Sequence, residues 1–81
     1  MSETLVLRTS KAIKHFRTIS NLSQERLAEK AGLDRTYISG IERGRRNITL
    51  ESLDKIITAL DIDINIFFKH VLQEANSDLS N

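Results

Sequence analysis

Residues 31–47 read AGLDRTYISGIERGRRN. Within this stretch Gly32 is suited to end one helix and Asp34 to cap the next, because glycine tolerates a left-handed backbone and a carboxylate can accept a free backbone N–H. The spacing predicts a short helix over residues 35–43, with Gly44 as a left-handed stop. Two isoleucines at helical spacing form its inward side, Ile38 and Ile41.

A second helix precedes this turn. Ser23 can accept a backbone N–H as the N-cap of a helix over residues 24–31, with Leu27, Ala28 and Ala31 on its inward side. The short turn between the two helices has the spacing of a helix-turn-helix, although an αα-hairpin in any small bundle can share it. The outward face of the later helix separates these interpretations, because it lacks the mixed Glu and Lys pairs of a solvated face and Gly40 leaves room for close approach. That face carries Arg35, Thr36 and Ser39.

The rest of the chain also predicts helices. It has no proline and three glycines, and no run alternates apolar with polar residues for long enough to indicate a strand. We expect a first helix over residues 5–19, a fourth over residues 50–60 capped by Thr49, and a fifth from about residue 63 to about residue 75. The fold class is therefore all-α, a compact five-helix bundle that contains a helix-turn-helix. The inward residues are expected at Leu5, Ala12, Ile13, Phe16 and Ile19 and at Leu53, Ile56, Ile57 and Leu60, and the fifth helix carries Ile64, Phe67, Phe68, Val71 and Leu72.

Composition excludes several classes of protein. The 81 residues allow one domain, which we place at residues 1–76 with a frayed tail over residues 77–81. Cysteine is absent, and His15 and His70 lack an acidic neighbour at metal-ligand spacing, so neither a metal nor a cofactor is expected. The sequence has no nucleophile motif or phosphate-cradling loop, so we expect no enzyme activity. Without an apolar run of about 20 residues or a signal peptide, the expected compartment is the cytoplasm, with no membrane contact.

Charge is divided unevenly along the chain. Residues 1–46 contain ten Lys or Arg and five Asp or Glu, whereas residues 47–81 contain two and six, although the whole chain has a net charge of +1. A basic first half suits contact with a polyanion, and the second half suits contact with something apolar or with itself. Accidental clustering would give the same balance, so the pattern needs support from particular residues.

A family resemblance rests on the central segment. Residues 22–47, LSQERLAEKAGLDRTYISGIERGRRN, resemble the helix-turn-helix core of the Cro and phage-repressor-like (XRE) family of DNA-binding regulators. The similarity continues through ITLESL at residues 48–53 and covers residues 5–72, so it implies a lambda-repressor-like DNA-binding domain. The short chain and DRTYISGIER at residues 34–43 resemble, more narrowly, the controller proteins of restriction-modification systems. Small phage repressors and antitoxins share most of the same residues and remain alternatives.

Helix-turn-helix docking brings the first two turns of the third helix into the major groove. The candidates for reading bases are therefore Arg35, Thr36 and Ser39. Arg35 can form a bidentate pair with guanine O6 and N7, and Thr36 offers a hydroxyl and a methyl group that can meet thymine. A cation in the first turn of a helix opposes the helix dipole, which favours a functional reason for Arg35 over mere solvation.

Residues around this helix are candidates for contacts with DNA phosphates. Gln24 resembles the family's phosphate-clamping glutamine, and it lies where the N-terminal N–H groups of a helix can also hold a phosphate. Arg46 and Asn47 are favoured by the resemblance to the controller proteins. The full set of phosphate candidates is Gln24, Tyr37, Arg43, Arg46 and Asn47.

Some of these candidates have ordinary alternatives. Tyr37 can lie against the domain surface, and Arg43 can pair with a carboxylate such as Glu42 or Asp54. Arg45 is easily a solvated loop charge. Three basic residues of the first helix are at least as well explained as a solvated face, namely Lys11, Lys14 and Arg17.

The fifth helix carries more apolar residues than one face of a terminal helix can bury in so small a protein. We therefore expect it to contact a second copy of the chain through Ile64, Ile66, Phe67, Phe68 and Val71. A two-fold dimer places two recognition helices in successive major grooves about 34 Å apart, so the operator is expected to be an approximate palindrome. The alternative is that Phe67 and Val71 close the monomer core while Ile66 and Phe68 are merely exposed.

The resemblance implies a function for these parts. We expect a homodimer that binds double-stranded operator DNA and activates or represses its own gene and that of a restriction endonuclease. In the activating role, Glu25 on the outward side of the second helix could contact RNA polymerase. The alternatives are a small phage repressor and an antitoxin, and in the antitoxin case a toxin protein would be the main partner.

Overall fold

The protein is built from helices alone in the part that the structure, a computed structural model, describes: residues 4–80, with side chains for residues 4–73. The predicted all-α, five-helix fold is confirmed. The first four helices begin and end within one residue of the expected positions. The elements are α1 (Leu5–Ile19), α2 (Gln24–Ala31), α3 (Arg35–Glu42), α4 (Leu50–Leu60) and α5 (Ile64–Ser80).

The fifth helix is longer than predicted. Its backbone continues to Ser80, five residues past the expected end at Ala75. Neither glycine nor proline occurs in residues 64–80, so no residue of that segment breaks the helix. The sequence also predicts a frayed tail over residues 77–81. Asn81 and the side chains of residues 77–80 lie outside the described part of the chain, so this stays a prediction.

Hydroxyl side chains cap three of the helices. Thr4, Ser23 and Thr49 each accept the backbone N–H of the residue three positions further on, at 3.2, 3.0 and 3.0 Å. A cap of this kind contributes about 1 kcal/mol to stability. Asp34 has the extended backbone of an N-cap before α3, but within residues 4–73 its carboxylate accepts no bond from the helix, so the predicted capping bond is wrong.

Left-handed glycines end α2 and α3, as the sequence predicts. Gly32 has φ +70° and Gly44 has φ +72°. Beyond Gly44 the backbone N–H of Arg45 donates to the carbonyl of Gly40 at 2.9 Å, and the N–H of Gly44 donates to the carbonyl of Ile41 at 2.9 Å. This pair of bonds is a Schellman motif, which satisfies carbonyl groups at the helix end and turns the chain back towards the helix.

The core is formed by one apolar face of each helix. The inward residues predicted for α2, α3 and α4 are all buried. Between α1 and α5, the ring of Phe67 is fully enclosed, with its centroid 5.8 Å from that of Phe16. The buried apolar residues are Ala12, Ile13, Phe16, Leu27, Ala28, Ala31, Ile38, Ile41, Leu53, Ile56, Ile57, Ala59, Leu60, Phe67 and Val71.

Two apolar residues predicted to face inward are exposed instead. Leu5 and Ile19 lie in the first and last turns of α1 and are 63% and 61% exposed. On α5, where the sequence predicts more apolar residues than one face can bury, Ile64 and Leu72 are more than half exposed. Helical spacing identifies the correct stripe in the middle of α1, but it cannot show where neighbouring helices stop covering that stripe.

Two small polar residues of α1, Thr9 and Ser10, are buried although the apolar pattern did not include them. The Ser10 hydroxyl donates to the carbonyl of Val6 in the previous turn at 2.9 Å. Because that bond satisfies the hydroxyl within its own helix, its burial needs no partner from another element.

The helices leave the outer side of α3 uncovered. α2 packs on both α3 and α4, and α1 contacts α3, α4 and α5. The contact between α1 and α5 includes a stack of His15 on His70, with ring centroids 4.3 Å apart. None of the helices within residues 4–80 combines the length and the apolarity needed to cross a membrane.

Candidate nucleic-acid interface

The outer face of α3 is available to a ligand. Arg35 and Thr36 in the first turn are exposed, and Ser39 one turn later is half-buried. None of these three side chains makes a hydrogen bond or ion pair within the described residues 4–73. The structure therefore brings the three predicted base-reading residues together with their polar groups uncommitted, and their role stays a prediction.

The N-terminus of α2 lies beside the first turn of α3. Ser23, Gln24 and Glu25 line one surface depression together with Arg17 and Arg35. The first N–H groups of a helix attract anions. A phosphate held at the start of α2 would therefore lie close to the arginine that is predicted to read a base.

A buried carboxylate joins this pair of helices to α1. The side chain of Glu42, at the end of α3, is 2% exposed and accepts bonds from Arg17 Nε at 2.7 Å and Arg17 Nη2 at 3.0 Å. Arg17 Nη1 donates to the carbonyl of Leu22, just before α2, at 2.7 Å. Gln24 Nε2 donates to Glu42 Oε1 at 3.1 Å. Because a two-pronged arginine–carboxylate pair fixes orientation as well as distance, Glu42 sets the position of the α2 N-terminus relative to α3.

This network corrects the prediction for Arg17. Its side chain is 12% exposed and ion-paired, rather than part of a solvated face. The sequence did hold a signal, because Arg17 follows Ile13 by four residues and Glu42 follows Ile38 by four, so each lies on the apolar side of its helix. Opposite charges on two apolar faces indicate a buried pair.

The loop after α3 returns over the helix. The aliphatic part of Arg46 lies on Gly40, where an added Cβ would be 2.6 Å from Arg46 Cγ. The guanidinium carbon of Arg46 is 5.9 Å from the centre of the Tyr37 ring, within cation–π range. Gly40 is thus covered by an arginine stem, which corrects the expectation that it leaves room for close approach of a ligand.

The remaining phosphate candidates surround this loop. Tyr37 is half-buried and packs against the core, and its hydroxyl lies 3.5 Å from the carbonyl of Asn47. Arg43 and Arg46 are exposed, as are Arg45 and the side chain of Asn47. Within the described residues Arg43 has no ion pair, because Glu42 is taken by Arg17. The end of α3 therefore presents uncompensated positive charge beside a free polar face.

The described part of the chain shows no metal site. No cluster of three or more His, Asp or Glu residues there is placed to hold a metal ion. The two histidines stack face to face, at an interplanar angle of 11°, and do not converge on a common point.

The predicted contact surface on α5 needs a correction. Phe67 and Val71 are 0% exposed and belong to the monomer core, so neither is available to a partner chain. Ile64 and Ile66 are 54% and 55% exposed, and Phe68 is half-buried. Helical spacing could not separate these sets, because α5 carries apolar residues on more than one side.

An apolar surface extends from α5 onto α4 and α1. Two adjoining depressions share Leu50, Leu53 and Phe68 in their linings. Leu50, in the first turn of α4, is 83% exposed. Sequence reasoning confined this surface to the fifth helix and missed the parts that come from the starts of α1 and α4. We define the apolar surface by Leu5, Val6, Leu50, Ile64 and Phe68.

The α2–turn–α3 unit with its free outer face defines a helix-turn-helix domain, and comparison with known proteins supports this class. The helix-turn-helix family matches residues 13–67. Control protein C.SmaI of Serratia marcescens is 48% identical over 52 residues, which are 64% of this chain and 62% of that protein. Control protein C.MunI of a Mycoplasma species is 44% identical over 55 residues, 68% of this chain and 74% of that one.

A solved structure extends the similarity to almost the whole chain. The restriction-modification controller protein C.Esp1396I, bound to a 25 base pair operator site, has a TM-score of 0.85 and 42% sequence identity, covering 91% of this chain and 97% of that one. The chain belongs to the helix-turn-helix family, in the group of restriction-modification control proteins. It spans just under two thirds of the length of C.SmaI, at 62%.

Proposed function

We propose that the protein is a sequence-specific DNA-binding transcription regulator that binds an approximately palindromic operator as a dimer. As a control protein it acts on its own gene and on the gene of a restriction endonuclease. The observation that carries the proposal is the uncommitted outer face of α3, held against the N-terminus of α2 by the buried Glu42. Solved complexes of C.Esp1396I with a 25 base pair operator site, and of its tetramer with a 35 base pair operator, support it.

In this proposal, one set of side chains holds the protein on the duplex and another set reads the base sequence. Contacts with phosphate hold a protein on the duplex whatever its sequence, whereas contacts with base edges discriminate. The exposed first turn of α3 supplies Arg35 and Thr36 for bases, with Ser39 behind them. Residues around this face make the phosphate contacts, which we assign to Gln24, Tyr37, Arg43, Arg46 and Asn47.

Replacing Arg35 by alanine tests the base-reading role. Arg35 has no partner among the described residues, so its loss leaves the fold intact. We expect binding to the preferred duplex to weaken by about 1–3 kcal/mol, with specificity relaxed at one base pair of each half-site. The measurement is a titration of wild type and variant against a duplex selected from random sequence by the wild type, and against that duplex changed at single positions, all at one stated salt concentration.

The matched control is Lys55→Ala, which removes the same charge from an exposed position on α4. It should lower affinity for all duplexes slightly and alter no base preference. If Arg35→Ala weakened selected and random duplexes by the same factor, Arg35 would be a phosphate contact and the assigned role would be wrong.

We infer that the apolar surface is where two copies of the chain meet. Its exposed side chains come from three helices, and contiguous exposed apolar patches on small proteins mark interaction sites. A dimer also doubles the number of base pairs read, which matters because each mismatch is worth only about 1–3 kcal/mol. Of the predicted contact residues, Ile64 and Phe68 line this surface, whereas Ile66 is exposed but lines neither depression.

Leu50→Asp tests the dimer surface without harming the monomer. Leu50 is 83% exposed and lies in the first turn of α4, where a carboxylate interacts favourably with the helix dipole. We expect the variant to remain helical, to sediment as a monomer at concentrations where the wild type is a dimer, and to bind the operator at least tenfold more weakly, a change of about 1.4 kcal/mol. The measurements are analytical ultracentrifugation and the same DNA titration.

Leu72→Asp is the control for the dimer test, because Leu72 is 59% exposed on α5 but lines neither apolar depression. It should leave the dimer intact. A wild-type chain that stays monomeric alone and becomes a stable complex only with a different protein would contradict the homodimer and favour the antitoxin alternative.

A further inference from the structure

Gly40 of α3 is buried beneath a side chain of the following loop. A Cβ built on it would meet three atoms of Arg46, at 2.6 Å from Cγ, 3.5 Å from Cβ and 3.8 Å from Cδ. Carbon atoms in contact normally lie about 3.5–4.0 Å apart. Any residue other than glycine at this position must therefore push the stem of Arg46 away from the helix.

The helix itself gives no reason for a glycine here. Gly40 lies inside an eight-residue helix, where glycine is less favourable than alanine. Among the described residues the glycines with positive φ are Gly32 and Gly44, so the backbone at Gly40 suits any residue. Its missing side chain matters only for the space that Arg46 fills.

Two further features hold Arg46 in that space. The Schellman motif at Gly44 turns the loop back, with the N–H of Arg45 bonded to the carbonyl of Gly40 itself. Tyr37, one turn earlier on α3, presents its ring to the Arg46 guanidinium at 5.9 Å. Tyr37 is half-buried against the core, so packing restricts the position of its ring.

We propose that Gly40 is a positioning residue for DNA binding, which with Tyr37 forms a seat that holds the Arg46 guanidinium ready for a phosphate group of the duplex. The inference rests on the proposed function, and it explains how the contact of Arg46 with a phosphate is prepared before DNA binds. A free arginine side chain loses rotamer freedom when it is fixed in a complex. On the seat much of that freedom is already lost before DNA arrives, so the contact forms at a smaller entropic cost.

The seat also gives the ring of Tyr37 a role besides the phosphate contact proposed for this residue. Its hydroxyl faces the carbonyl of Asn47, and its ring faces Arg46. Both interactions keep the loop of residues 43–47 against α3. On this basis the ring of Tyr37 supports the loop and so places Arg46 for its own phosphate contact.

The test is Gly40→Ala, with Gly40→Ser as a second variant that adds the same Cβ. Alanine favours the helix, so we expect a melting temperature equal to or above that of the wild type. We expect affinity for the selected duplex to fall about tenfold and the slope of log K against log salt to decrease in magnitude by about one, as for loss of one phosphate contact. Affinity for random duplexes should fall by the same factor, because a phosphate contact carries no sequence information.

A double-mutant cycle with Arg46→Ala shows whether Gly40 acts through the Arg46 side chain. With alanine at position 46 the Cγ and Cδ atoms are gone, and the remaining Cβ–Cβ distance of 3.5 Å is an ordinary contact. Adding Gly40→Ala to Arg46→Ala should therefore leave affinity and salt slope unchanged. The interaction in the cycle should equal the whole effect of Gly40→Ala alone.

The outcomes are distinct. If Gly40→Ala weakens binding equally with and without Arg46, the glycine acts on DNA directly and the seat is wrong. If Gly40→Ala binds as the wild type does, Arg46 needs no seat and the inference is also wrong. If the wild type itself prefers no duplex over random DNA, the proposed function is wrong, and this result is independent of any effect of Gly40→Ala.

Discussion

Replacing Glu42 by alanine is expected to cost about 3–5 kcal/mol of stability, because it leaves the buried Arg17 charge without a counter-ion. The Arg17 guanidinium, 12% exposed, would lose both of its bonds to carboxylate oxygens, and the Gln24 amide would lose its acceptor. A small domain has a total stability of about 5–15 kcal/mol, so this loss is a large fraction of the whole and the variant should unfold at a much lower urea concentration than the wild type. Urea denaturation followed by far-UV circular dichroism measures the loss.

Two controls show that the cost comes from burial. Glu29→Ala breaks an exposed ion pair with Arg26 on α2, and it should change stability by less than about 1 kcal/mol. The double variant Arg17→Met with Glu42→Leu replaces the pair by apolar side chains and should recover most of the loss, since such replacements are often neutral. A Glu42→Ala protein as stable as Glu29→Ala would contradict the buried network.

Replacing Phe67 by alanine is expected to destabilise the domain by about 3–5 kcal/mol, the usual cost of emptying a fully enclosed aromatic position. Phe67 is 0% exposed and its ring contacts those of Phe16 and Phe68, with centroids 5.8 and 5.4 Å away. The cavity would open between α1 and α5. Thermal denaturation by differential scanning calorimetry measures the effect.

Phe68→Ala is the matched variant, since the two residues are neighbours in sequence and differ in environment. Phe68 is half-buried at the apolar surface, so we expect a smaller loss of monomer stability and a larger loss of dimer. Equal destabilisation by the two substitutions, with the dimer unaffected by either, would contradict both the core role of Phe67 and the position of the interface.

Helix positions were predictable because their signals are local. Ser23 and Thr49 each lie directly before an apolar stripe and accept a bond from three residues further on. Gly32 and Gly44 end their helices because a left-handed turn favours residues without a Cβ. For Asp34 the same reasoning gave the correct helix start but the wrong hydrogen bond, since an extended backbone does not determine where the carboxylate points.

The contacts between helices were not predictable in the same way. Arg17 and Glu42 are 25 positions apart, and only the packing of α1 on α3 brings them to 2.7 Å. Gly40 was expected to make room for a ligand, because the sequence does not show that a Schellman motif brings Arg46 back over it. The candidates for reading bases come from the resemblance and from their outward spacing, and the structure adds that their side chains make no bonds within the described residues.

The side chains proposed to read DNA are separate from those that hold the helices together. Arg35 and Thr36 are exposed and make no bonds within the described part of the chain, while Glu42 and the core isoleucines beneath them are enclosed. Exchanges at exposed positions away from such features usually change stability by about 0.5 kcal/mol or less. Under the proposed function, exchanges at a few exposed positions of α3 can therefore change the preferred operator while the architecture stays constant.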